Sequence, residues 1–105
     1  MPKATKIGDK TVGTCDVGED CCPHLRSGTN AVGSPNVFIN DKAAHRLTDT
    51  GPTNCPHGGT FKSVEGSPNV FVNNKPLTRI DDTTICKVCG MSGKHSTGSE
   101  NVFVN

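Results

Sequence analysis

Ten residues of this chain, six Cys and four His, could bind a borderline-soft metal ion, and they fall into three groups. Cys15, Cys21, Cys22 and His24 form the first. His45, Cys55 and His57 form the second, and Cys86, Cys89 and His95 the third. Each group offers both thiolate and imidazole, the donors Zn²⁺ takes in tetrahedral sites. On the residues alone the ligand set is open, because ten candidates compete for about four positions. Other readings apply to individual members. Cys86-x-x-Cys89 has the spacing of a thiol redox pair, but such pairs open a helix in an α/β setting. Vicinal Cys21 and Cys22 could be small buried apolar residues. Any one His, taken singly, reads as a solvent-exposed loop residue.

The elements that must position these groups are repeated. Gly-Ser-Pro-Asn-Val-Phe-Ile-Asn at 33–40 returns as GSPNVFVN at 66–73 and as GSENVFVN at 98–105. The copies are 33 and then 32 residues apart, counted from Asn36 to Asn69 to Asn101. A second pattern repeats with them: Lys6-Ile7-Gly8-Asp9, Arg46-Leu47-Thr48-Asp49 and Arg79-Ile80-Asp81-Asp82. A period of this size has to be read before anything else, since it sets the architecture. Val37, Phe38 and Ile39, with their counterparts, are β-branched and aromatic runs between turn residues, which predicts short strands. Asn40-Asp41 and Asn73-Asn74 follow at the places of tight hairpin turns, and Asn and Asp tolerate the positive φ such turns need.

Two hairpins are therefore complete, and the third is split between the last eight residues and Ala4 to Asp9. A repeat permuted so that its ends meet predicts a closed, pseudo-three-fold all-β fold. We expect one domain over residues 1–105, with arms near 33–51, 66–84, and 98–105 paired with 4–11. The segments 10–32, 50–65 and 83–97 are expected to be loops carrying nearly all the Cys and His. No window shows helical periodicity, and Gly and Pro interrupt every stretch.

Composition narrows the functional classes. With 31% hydrophobic residues and no Trp or Tyr, the chain buries little apolar area, so at roughly 25 cal/mol per Å² its core is thin. Scaffolds of this kind usually add a metal, disulfides or a partner. A formal charge of +1 argues against nucleic-acid binding, which needs a basic patch. There is no apolar run long enough for a membrane span. The start, MPKATKIGDK, lacks the apolar core of a secretory signal. Synthesis in a reducing cytosol is expected, where Cys/His groups more often mean metal than disulfide. No phosphate-cradling glycine motif occurs. The thrice-repeated Asp9, Asp49 and Asp82 read as structural partners of Lys6, Arg46 and Arg79 rather than as catalytic acids.

GSPNVFVN followed by a short turn and Lys75-Pro76-Leu77-Thr78-Arg79-Ile80-Asp81-Asp82 resembles the proline-alanine-alanine-arginine (PAAR) repeat proteins. The resemblance runs from Ala4 to Asn105, so no added effector domain is expected. The tetrad itself stands here as Ala43-Ala44-His45-Arg46 and Pro76-Leu77-Thr78-Arg79, and its Gly-Asp ending only at Gly8-Asp9. The resemblance implies a small cone of short β-hairpins with a metal-stapled apex. Such a cone caps the trimeric β-helical spike of a type VI secretion system (a VgrG-like protein) or a contractile phage tail.

It also implies one Zn²⁺ held by three His and one Cys. The best matches are His24, His45, His57 and Cys89, with Cys55 as the first substitute. The spike-facing base is expected to use Val37, Phe38, Val70, Phe71, Val102 and Phe103. A structural piercing tip, not an enzyme, is the resulting expectation. It would be made without a signal peptide and act at a phage tail tip or after type VI export, with effector proteins as further partners. A free-standing zinc-binding or thiol redox module is the alternative, and a small zinc hydrolase a third reading that would need an open metal position and a nearby general base.

Overall fold

The protein was analysed as a computed structural model, which describes residues 2–15, 24–54, 59–87 and 90–105. Among the described residues there are ten strands and no helix. In chain order they are β1 (Lys10–Cys15), β2 (His24–Thr29), β3 (Phe38–Ile39), β4 (Lys42–Ala43) and β5 (Thr50–Pro52), then β6 (Thr60–Ser63), β7 (Phe71–Val72), β8 (Lys75–Pro76), β9 (Thr83–Cys86) and β10 (Ser92–His95).

The repeats behave as their residues predict. β3 pairs with β4 and β7 with β8, each antiparallel. Their turn residues Asn40 and Asp41 (φ 50° and 67°) and Asn73 and Asn74 (φ 53° and 66°) are all left-handed. Two consecutive residues at positive φ give the primed turn that matches strand twist. The third arm closes through a bridge between Lys3 and Phe103. Bridges Lys6–Ala44, Arg46–Leu77 and Ala4–Arg79 then link the three units in a ring.

A backbone triangle lies on the axis of that ring. The Thr5 amide donates to the Thr78 carbonyl at 3.1 Å, Thr78 to His45 at 3.1 Å, and His45 to Thr5 at 3.2 Å. Beside it lies the apolar core, two layers of three repeat-equivalent residues: Ala4, Ala44 and Leu77, then Ile39, Val72 and Val104. Val70 and Val102 pack against it partly buried.

The segments expected to be loops are a finding against that expectation. They form one six-stranded antiparallel sheet in the order β2-β1-β10-β9-β6-β5. A bridge from Gly28 to Thr53 and a bond from the Asn54 amide to the Ser27 carbonyl, 3.0 Å, join its two outer strands. Closure of this kind leaves few unpaired edges. Apolar periodicity missed these strands because, Phe61 and Cys86 apart, their buried side chains are polar: Thr11, Arg26, Ser63, Thr84 and His95. The tube is too narrow for larger groups at two places. A Cβ on Gly51 would stand 2.0 Å from the Thr29 carbonyl oxygen, and one on Gly28 2.7 Å from Thr11 Oγ1. The whole measures 41 × 24 × 23 Å.

Candidate functional site

The three long hairpins turn at one end of the molecule. In register, Cys15 faces His24 at the end of β1 and β2, Pro52 faces Thr60 at the end of β5 and β6, and Phe61 faces Cys86 near the end of β9. Every Cys of the chain lies at or within these three connections. Cys21, Cys22, Cys55, His57 and Cys89 fall outside the described residues, as do the side chains of Cys15 and His24. Of the expected ligands His24, His57 and Cys89, the structure therefore gives only the backbone of His24, the first residue of β2. Cys86 is described; it is fully buried and unbridged. Among the described residues no group of three or more His, Cys, Asp and Glu is gathered for a metal. Thiolate and imidazole are the donors a structural zinc ion uses.

His45 stands elsewhere. It sits on the axial triangle, at the position held by Thr5 and Thr78 in the other repeats, and both ring nitrogens are engaged. Nδ1 lies 2.8 Å from the Val32 carbonyl oxygen and Nε2 2.8 Å from Ser63 Oγ. The same hydroxyl lies 2.9 Å from Nε2 of His95. A carbonyl only accepts, so His45 Nδ1 carries the proton and its Nε2 accepts from Ser63. Ser63 then accepts from His95 Nε2–H. That leaves the lone pair on His95 Nδ1, which is buried without a partner. Burial lowers the pKa of His45 from 6.5 to about 4, and burial together with the charge on His45 lowers that of His95 to about 3. Both rings are therefore neutral near pH 7. Phe61 packs against both, its centroid 6.1 Å from His45 and 6.3 Å from His95.

Between this layer and the hairpin turns lies Arg26, 1% exposed. Its Nη2 donates to the Met91 carbonyl at 2.9 Å, while Nε and Nη1 have no partner. Two glycines admit the guanidinium. A Cβ on Gly13 would lie 2.9 Å from Arg26 Cζ, and one on Gly93 2.9 Å from Nη2.

At the opposite end, the three repeat phenylalanines point out. Phe38 is 61%, Phe71 56% and Phe103 48% exposed, so the core-forming member of each strand is its neighbour. A cyclic polar network holds them in place. Ser34 Oγ bonds Asn73 Oδ1 at 2.6 Å and Ser99 Oγ bonds Asn40 Oδ1 at 2.6 Å, while Ser67 Oγ donates to the Asn105 carbonyl at 2.5 Å. Each arm is thereby pinned to the next. Val37 is half-exposed beside this surface, whereas Val70 and Val102 contribute to the core.

The repeated basic–x–x–Asp units are closed turns with no exposed carboxylate pair. Lys6–Asp9 (3.1 Å), Arg46–Asp49 (2.8 Å) and Arg79–Asp82 (2.8 Å) are ion pairs. In each, the Asp also accepts from the backbone amide of its basic partner.

The sequence model of the PAAR motif matches residues 23–89. The chain belongs to the PAAR family. A comparison with curated proteins returned no match. Membership gives the coarse role: a PAAR protein is a structural spike-tip domain of contractile injection systems, associated with a spike protein. Among the described residues no helix is long and apolar enough to cross a membrane.

Sequence reasoning noted His95 only as one of ten metal candidates and passed over Arg26 and Ser63. A signal for His45 existed, because aligning the repeats places it on two buried threonines. Nothing in the sequence marked Arg26.

Proposed function

We propose that this PAAR protein is the piercing tip of a contractile machine, seated through Phe38, Phe71 and Phe103 on the end of a trimeric β-helical spike. That spike is a VgrG-like protein or a phage central spike. The observation carrying the reading is that three equivalent aromatic side chains are exposed around one pseudo-three-fold axis, at the end away from the hairpin turns. A monomer of this symmetry meets a three-fold trimer with nearly the same contact three times, so modest contacts add. Half-exposed Val37 extends the apolar rim on one arm. A zinc ion at the apex belongs to the same proposal. His24, His57 and Cys89 are its expected ligands, and His45 leaves the set because Val32 and Ser63 occupy its nitrogens. Bound there, zinc would crosslink three turns that have little apolar core beneath them.

The test is reconstitution with the purified spike trimer and mass measurement of the complex. One tip per three spike chains is expected, with one zinc per tip by elemental analysis. A tip that ignores the trimer would remove the seating proposal; a well-folded, metal-free tip would remove the zinc.

A further inference from the structure

We infer that the groove between the arm at 33–40 and the split arm at 98–105 is a binding site for a guanidinium, the side chain of an arginine presented by a partner protein. The site stands apart from the zinc reading and does not need the spike to be that partner.

The observation is a break in the three-fold repetition. In two of the three units the groove is occupied by the unit's own arginine. Arg46 holds Asp49 through Nε and Nη2. It still reaches across the groove, with Nη1 3.1 Å from Asn73 Oδ1 and Nη2 3.3 Å from the Gly33 carbonyl oxygen. Arg79 holds Asp82 in the same way and places Nη2 3.4 Å from the Gly66 carbonyl oxygen. In the remaining unit the equivalent acceptors are Asn40 Oδ1 and the Gly98 carbonyl. Its basic residue is Lys6, whose one side-chain nitrogen is engaged with Asp9 at 3.1 and 3.2 Å. Among the described residues nothing donates to the Gly98 carbonyl. Asn40 Oδ1 accepts from Ser99, whereas Asn73 Oδ1 accepts from both Ser34 and Arg46. A cleft of about 500 Å³ lies there, walled by Lys6, Asn40, Gly98 and Asn101 among others.

Two further departures from the repeat fall in the same cleft. Where the other arms have Pro35 and Pro68, this one has Glu100, an exposed carboxylate in no ion pair among the described residues. Where Lys75 Nζ is anchored on Thr48 Oγ1 at 3.2 Å, its counterpart Lys42 meets Gly8, which has no side chain to hold it. Lys42 is exposed, and its flexible stem lets the ammonium turn away to solvent.

The sign of the ligand follows from the groups that cannot move away. The Gly98 carbonyl and Asn40 Oδ1 only accept hydrogen bonds, so they suit N–H donors and are useless to an anion. Glu100 adds a carboxylate at the rim. A planar fork of N–H groups at fixed spacing satisfies two acceptors and a carboxylate together, which a single ammonium does less well. Arg46 shows the same fork in the same kind of groove. Asn40 donates to Asn101 at 2.8 Å, and both belong to the ring of Ser and Asn bonds behind the exposed phenylalanines. The cleft therefore lies at the end of the molecule that offers apolar surface to a partner.

The experiment is an NMR titration of the isotope-labelled full chain with N-acetyl-arginine amide, N-acetyl-lysine amide and inorganic phosphate. Wild type, Lys6→Arg and Glu100→Pro are compared. The arginine compound is expected to bind in the millimolar range, as its size allows. It should shift the backbone amide of Ser99 and the side-chain amides of Asn40 and Asn101. The lysine compound should bind several-fold more weakly, and phosphate should leave these signals in place. Lys6→Arg fills the cleft from within and should abolish binding. Glu100→Pro, which installs the residue of the other arms, should weaken it by about ten-fold. No shift with the arginine compound, or a shift that survives Lys6→Arg, overturns the inference. So does a response to phosphate in its place, which would make Lys6 and Lys42 an anion site. Should Lys6→Arg fail to fold, the wild-type preference and the Glu100→Pro titration decide alone.

Discussion

The imidazoles of His45 and His95 lie edge to face, 5.2 Å between centroids, and share one hydroxyl, that of Ser63. Two neutral histidines in a sealed polar layer make stability depend on pH. Their folded pKa values, about 4 and about 3, lie below the unfolded value of about 6.5. Unfolding therefore takes up protons between those limits. Stability contributed by the neutral rings is complete above about pH 6.5 and declines as pH falls, until the folded state titrates too. The slope approaches roughly 1.4 kcal/mol per pH unit for each ring. Urea unfolding from pH 7.5 to 4 should show this decline, and His45→Thr, which installs the residue of the other two repeats, should remove about half of the slope. Equal stability at pH 7 and pH 4.5 would show that the rings are not held neutral.

The three ion-paired turns share a design but differ in burial, so they should differ in cost. Arg46 and Asp49 are the most enclosed, and the carboxylate meets Nε and Nη2 together. Lys6–Asp9 is more exposed and its partner is a single ammonium. Asp49→Ala leaves a buried guanidinium unpaired and is expected to cost about 3–5 kcal/mol. Asp9→Ala should cost clearly less. Denaturation midpoints of the two variants, measured side by side, check the order.

The third position of these turns has φ 93° at Gly8, 73° at Thr48 and 73° at Asp81. A β-branched residue is poorly suited to that region, and L-residues there are disfavoured by about 1–2 kcal/mol. Thr48→Gly adopts what the first repeat already has. Part of the gain is offset by the greater freedom of Gly when unfolded, and the exposed contact from Lys75 Nζ at 3.2 Å is lost. A net stabilisation of about 0.5–1 kcal/mol is expected, visible as a Tm rise of a few degrees. A fall in Tm would mean that the hydroxyl matters more than the backbone.

The repeated part of the fold was legible because its signals are local. Asn40-Asp41 and Asn73-Asn74 announce their turns, and the permuted third repeat announces the meeting of Lys3 with Phe103. The six-stranded sheet was not legible. Strands such as Thr83–Cys86 bury Thr84 and Cys86, so alternation exists but is written in hydroxyl and thiol rather than in apolar side chains. Phe38 is exposed while Ile39 next to it fills the axis, since a pleated strand sends neighbours to opposite faces. The metal candidates were visible as a crowd, but which His belongs to the crowd depends on three-dimensional layers. His45 and His95 meet edge to face and share Ser63, and all three are distant from one another in sequence.

The exposed phenylalanines supply the last prediction. Each has about half its surface free and rests on a ring of Ser and Asn bonds that does not use the aromatic group. Replacing one with Ser should leave the thermal midpoint nearly unchanged. Seating on the spike is different, because a buried Phe contributes about 1.5–3 kcal/mol and aromatic anchors near the centre of an interface carry much of its energy. Phe38→Ser, Phe71→Ser and Phe103→Ser should each weaken binding to the spike trimer by about ten-fold or more. Because the three sites are equivalent by pseudo-symmetry, the single losses should be alike, and the triple variant should not bind at a concentration where wild type saturates. Surface plasmon resonance on immobilised trimer measures this directly. If one Phe carried the whole effect and the other two none, the tip would be held off-axis, and the three-fold seat would have to be abandoned.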